Sequence, residues 1–112
     1  MKKFLVLYHS TSTNMEQMAS STPEQMKAGM DMWMQWAAKA GSAIVELGAP
    51  LGAAATVNAG GAQRSVRASI GGYSVLQADS LDAVAKVLEG HPHFHAPGAS
   101  IEVHEVMGMP GM

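Results

Sequence analysis

Two stretches of this 112-residue chain carry complete helix punctuation, and short apolar runs lie before and after each of them. Thr22 precedes Pro23, with Gln25 three residues on, so a cap, a first-position proline and a capping-box partner coincide. Met26, Met30, Trp33 and Ala37 follow at helical spacing, and Gly41 can supply the left-handed residue that closes the segment. This predicts a helix over residues 23–40. Further on, Asp79 or Ser80 caps a second helix with apolar Leu81, Val84, Ala85 and Leu88, and Gly90 and Pro92 stand just past its end.

The segments between read as strands and loops. Phe4 to Tyr8 is an unbroken run of aromatic and branched residues, as in a central strand, and Ser10 to Ser21 reads as a polar loop. Ala43 to Leu47 is a second strand. Gly48 to Gln63 holds small residues without a period and reads as a long loop, a kind of segment that often carries function. Arg64 to Ala78 is a third strand with a break at Gly71-Gly72, and Ile101 to Val106 alternates as the last strand. With no internal repeat or linker, residues 1–112 read as one domain. The order β-α-β-β-α-β predicts an α+β, ferredoxin-like fold, a four-stranded antiparallel sheet with both helices on one face. The other face is then bare, and two copies pressing these faces together would make a dimeric α+β barrel.

Composition supports a partner copy and removes several function classes. Hydrophobic residues make up 47% of the chain and charged residues only 14%, a low share for a surface wholly in water. A net charge of -2 leaves no basic footprint, so nucleic acid is not an expected partner. The absence of cysteine removes thiolate nucleophiles and cysteine-ligated metals, so any metal needs histidine or carboxylate ligands. The apolar core of the N-terminal stretch falls short of the roughly 7–15 residues of a signal peptide, and no run reaches membrane-spanning length; the expectation is a soluble, cytoplasmic protein. No Gly-x-Ser-x-Gly elbow, dinucleotide turn or phosphate-binding loop is present.

The stretches MKKFLVLYH and GGYSVLQADSLDAVAKVLEGHPHFHAPGASIEVHEVM resemble the YCII-related family. The shared pattern is an opening strand, a Gly-Gly-Tyr strand running into Asp-Ser-Leu-Asp, a helix ending near His-Pro, and a closing Ile-Glu-Val strand. The resemblance is strongest from Gly71 to Met107 and implies a dimeric ferredoxin-like barrel with a small pocket. Some members are thought to use a histidine on the first helix with an aspartate after the second strand. This chain has Asp31 in about the first region and Gly48-Ala49-Pro50-Leu51 in the second, so that pair is not reproduced.

Four of the five histidines lie between Gly90 and Val106. The expected topology brings His9, His91, His93 and His95 to one rim of the sheet, with His104 on the last strand beside the first. Imidazole titrates near neutrality, which suits acid–base chemistry. His9, His91 and His93 are therefore candidate catalytic residues, with Asp31 on the first helix as a further candidate acid. His91, His93 and His95 alternate and would share one side of an extended segment, so His93 and His95 are candidate metal ligands. Glu102 and His104 also share a face. The structural alternatives are a charged His91 at a helix end and solvated His93 and His95. The methionines and tryptophans crowding the first helix read as core plus an oligomer contact, and Arg64 and Arg67 as a surface pair. Two functional readings follow: a homodimeric small-molecule enzyme with histidine acid–base chemistry and an unknown cofactor requirement, or a non-catalytic ligand- or metal-binding assembly module.

Overall fold

The computed structural model describes residues 1–12, 14–65 and 70–108. In chain order the elements are β1 (Lys2–His9), α1 (Asn14–Ser20), α2 (Pro23–Ala40), β2 (Ile44–Pro50), β3 (Ala54–Asn58), β4 (Gly61–Ser65), β5 (Ile70–Ala78), α3 (Leu81–Val87) and β6 (Ser100–Val106). Short 3-10 turns occupy Gly41–Ala43 and Pro92–His95. The fold is α+β, and its main sheet is antiparallel in the order β2-β5-β1-β6. β3 and β4 pair separately as a hairpin.

The two long-range helices start and stop where the local chemistry dictates. Thr22 accepts from the Gln25 amide at 3.1 Å while the Gln25 side chain accepts from the Thr22 amide at 2.9 Å, the reciprocal capping box. Gly41 closes α2 at φ 55, and the Ser80 hydroxyl caps α3 by accepting from the Ala83 amide. Two segments differ from the sequence reading. The polar stretch after β1 contains α1, whose Asn14 side chain donates to the carbonyls of both Leu51 and Gly71 at 2.8 Å. The stretch read as a long loop instead extends β2 to Pro50 and then forms the β3–β4 hairpin, whose turn is tied by the Gly60 amide donating to the Asn58 side chain. The third strand divides into β4 and β5, and Gly71-Gly72 lies inside β5 rather than at the break. The β4–β5 junction and Arg67 lie outside the described residues.

β1 sits between β5 and β6, and its side chains alternate strictly. Phe4, Val6 and Tyr8 are buried against Ser74, Leu76 and Ala78 of β5, Trp36 of α2, and Val84 and Leu88 at α3. Each fully buried large apolar side chain here contributes about 1.5–3 kcal/mol. Three polar side chains in this layer are partnered: the Tyr8 hydroxyl donates to Ser74 Oγ at 2.8 Å, Ser74 donates on to the Leu47 carbonyl at 2.6 Å, and the Trp36 indole N–H donates to the Val87 carbonyl. The protein is only 19 Å through its thin axis, the depth of one helix layer on one sheet. Among the described residues no layer covers the opposite sheet face, which carries Leu5, Leu7, Tyr73 and Val75 half-buried. Among the described residues no helix is long and apolar enough to cross a membrane.

β2 reaches this sheet through a bulged register at Glu46 and Ala49, which Gly48 makes feasible. Gly48 has φ +83, and a Cβ there would lie 1.7 Å from the Tyr73 carbonyl oxygen. Gly48→Ala is expected to lower stability by about 3 kcal/mol or more, because backbone strain and a main-chain clash combine. Gly29, inside α2 with nothing within 4 Å of its would-be Cβ, is the control. Gly29→Ala should raise stability by roughly 0.5–1 kcal/mol, both effects being read from urea unfolding midpoints.

Candidate functional site

His9 and the His93 ring meet at one end of the sheet, His104 stands opposite Leu5 in the middle of β1, and the histidines divide between the two faces. The Pro92–His95 turn is the reason. His91 Nδ1 accepts from the His93 amide at 2.9 Å and Pro92 occupies the first turn position, so the chain coils instead of extending. Alternate residues of a 3-10 turn point apart, which corrects the expectation that His91, His93 and His95 share one side.

His91 lies in the helix-side core at 1% exposure. Its ring centroid is 4.4 Å from Trp33, 4.3 Å from Trp36 and 5.0 Å from Tyr8. Because Nδ1 accepts a hydrogen bond, the neutral ring carries its proton on Nε2, and that buried N–H has no hydrogen-bond partner among the described residues. Aromatic surfaces surround it, where an N–H–π contact is the available interaction. Burial, with a smaller effect of neighbouring His93, pushes the His91 pKa down to about 4. His91 is therefore a neutral member of an aromatic core.

His93 turns toward the strand ends. Its Nε2–H donates to the His9 carbonyl at 2.7 Å and lies 3.2 Å from the Ser100 carbonyl, clamping the end of β1 to the start of β6. His95 is exposed and lines an open groove of about 260 Å³ with Met32, Trp36, Lys39 and Glu89. Asp31 is exposed on α2, in the helix layer. Among the described residues no three His, Cys, Asp or Glu side chains are arranged to hold a metal ion.

His9 points to the bare face, where β6 supplies its neighbours. Leu7 pairs with Glu102 and Leu5 with His104 across β1 and β6, so Glu102 and His104 stand on the face that carries His9. His9 Nε2 donates to Glu102 Oε1 at 2.9 Å, and His104 Nε2 donates to Glu102 Oε2. One carboxylate thus bridges two imidazoles through both of its oxygens. The hydrogen bond from His104, reinforced by that from His9, holds the Glu102 carboxyl below the usual carboxylate range. An anionic Glu102 fixes the Nε2–H tautomer of His104 and leaves Nδ1 as the lone-pair nitrogen.

Across the same face the Tyr73 hydroxyl donates to Glu46 Oε1 at 2.6 Å. That hydrogen bond and the carboxylate charge raise the Tyr73 pKa. The register places Tyr73 beside Leu7 and Val75 beside Leu5, so a floor of Leu5, Leu7 and Val75 separates the Tyr73–Glu46 pair from the His9–Glu102–His104 array. The shared face of Glu102 and His104 was legible in the alternating last strand. The Tyr73–Glu46 pair was not, since the β2 bulges decide which way Glu46 points.

Compared with known proteins, the chain matches no family model and no curated protein.

The state of His91 has a measurable consequence. With a folded pKa near 4 against an ordinary value of 6.5, the unfolded chain binds the proton more readily. The stabilising effect is complete above pH 6.5 and is lost as pH falls toward 4. This corresponds to roughly 3 kcal/mol of unfolding free energy. His91→Asn keeps an acceptor for the His93 amide and removes the titration. Urea unfolding of the wild type at pH about 7 and about 4 should show this loss, and the variant, though less stable at neutral pH, should show a correspondingly shallower decline.

Proposed function

We propose that this protein is a cytoplasmic, homodimeric small-molecule enzyme of YCII-related type, built from ferredoxin-like protomers that press their bare sheet faces together into an α+β barrel. The strand order, a buried apolar core on the helix side of the sheet, and the quoted family resemblance support the architecture. The observation that carries the chemistry is the His9–Glu102–His104 array on the uncovered face. Two imidazoles on one carboxylate can take a proton from a bound molecule and return one to it, which is general acid–base catalysis. The apolar residues Leu5, Leu7 and Val75 lie beside the array, and a second copy packed on them would exclude water from the imidazoles.

The roles divide differently from those expected from sequence. His9 keeps its place in the proposed site. His91 and His93 serve the frame, the first as aromatic core and the second as a strand clamp, and Asp31 takes no part. Glu102 and His104 take over their chemistry. A non-catalytic binding or assembly module is the second reading, and the exposed Met26, Met30 and Met34 of α2 favour it, since thioethers adapt to irregular partners.

A thermal-shift screen of metabolites is the direct test, because a ligand that binds the folded state raises Tm. A ligand of the proposed site should stabilise the wild type, and His104→Ala and Glu102→Gln should reduce its affinity by about tenfold or more while leaving the circular dichroism of the unliganded chain unchanged. Turnover of that ligand, lost in both variants, marks an enzyme. Binding without turnover marks the module, and ligands indifferent to both substitutions sink the site.

A further inference from the structure

The bare face carries opposite chemistry along its two edges, and this specifies how a second copy fits. Two rows cross it. One runs Glu46, Val75, Leu5, His104, and the next runs Ala49, Tyr73, Leu7, Glu102. A carboxylate thus stands at the β2 edge of a row whose β6 edge is an imidazole, with two apolar residues between.

We infer that the dimer two-fold axis runs parallel to the strands, so that His104 of each chain meets the partner's Glu46 and the acid–base site is composite. This rests on the dimer reading above and adds its geometry. A two-fold rotation about such an axis reverses the order of strands across the sheet and preserves position along them. β6 then faces the partner's β2, and β5 faces the partner's β1. Leu5 lies opposite the partner's Val75, Leu7 opposite the partner's Tyr73, and His104 opposite the partner's Glu46. Apolar residues meet apolar residues in the centre, and an imidazole meets a carboxylate at both ends.

Hydrogen-bonding capacity agrees. Glu46 uses Oε1 for its own Tyr73, leaving Oε2, and His104 uses Nε2 for its own Glu102, leaving Nδ1. An imidazole donating through both nitrogens is a cation, and it would sit between two carboxylates. The same axis brings the outer strands β2 and β6, whose outward backbone groups have no partner strand in the four-stranded sheet, alongside each other across the interface. The other face-to-face arrangement, with the axis across the strands, sets each strand over its own copy, so that β6 faces β6 and His104 does not meet Glu46.

Charge exchange tests this in the intact chain. Sedimentation velocity should find the wild type dimeric, and Glu46→Lys and His104→Glu should each weaken the dimer by about a hundredfold or more, with circular dichroism unchanged. Mixing the two variants should restore a dimer, since the introduced lysine meets the introduced glutamate at one end and the native pair forms at the other. A single chain carrying both substitutions should dimerise for the same reason, which keeps the test open if one variant alone is unstable. A wild-type dimer with Glu46→Lys as tight as wild type, or variants that fail to complement in both formats, overturns the axis and leaves the dimer standing. A wild type monomeric at every concentration removes the dimer itself.

Discussion

Everything distinctive in this protein depends on the register of β1 between β5 and β6. Because side chains alternate along a strand, that register sends Phe4, Val6 and Tyr8 under the helices and Leu5, Leu7 and His9 to the bare face. A slip of one residue would exchange the sets, placing His9 in the core and Phe4 in water. The register is overdetermined. Fully buried Phe4 and Val6 on one side, the hydroxyl chain from Tyr8 through Ser74 to Leu47, and the His93 clamp on the His9 carbonyl all fix the same alignment. The array of His9, Glu102 and His104 is therefore a by-product of core packing on the opposite face.

Histidine stands in two different settings on the two faces of the sheet, and environment decides what each can do. His91 is surrounded by Tyr8, Trp33 and Trp36, where a charge would be desolvated, and burial keeps it neutral. His104 stands in the open beside a carboxylate, where a charge is hydrated and countered. The first kind stiffens a rim and the second can exchange protons. Proximity in sequence is a poor guide to this division, since the 3-10 turn at Pro92 rotates His91, His93 and His95 into core, strand end and solvent within five residues.

What the sequence made legible follows from how local the physics is. α2 and α3 are specified by caps and periodic apolar residues within their own spans, and they appear where those signals stand. β1 and β6 were visible as an apolar run and an alternation. α1 was not, because it is short, polar and held by Asn14 reaching carbonyls at Leu51 and Gly71 that are remote in sequence. The β3–β4 hairpin was not, because its alanines and glycines give weak strand signals and its turn depends on one asparagine side chain. The same distinction governs the site. Glu102 and His104 share a face by counting, whereas Glu46 reaches Tyr73 only through bulges that Gly48 permits and no local rule announces.

The chain presents two apolar surfaces of different character. On α2, Met26, Met30 and Met34 recur every fourth residue and are exposed, a stripe of flexible thioethers. On the sheet, the apolar centre is rigid, and each end carries hydrogen-bonded carboxylates whose directions are set by strands. Apolar area favours association without choosing a geometry, and directional polar groups choose it. The methionine stripe can therefore tolerate many neighbours, while the sheet face discriminates among them, because any occupant that buries Glu46, Glu102 and the imidazoles must return the hydrogen bonds that water gave them. A surface with that demand is the one on which specific recognition and proton chemistry can be built together.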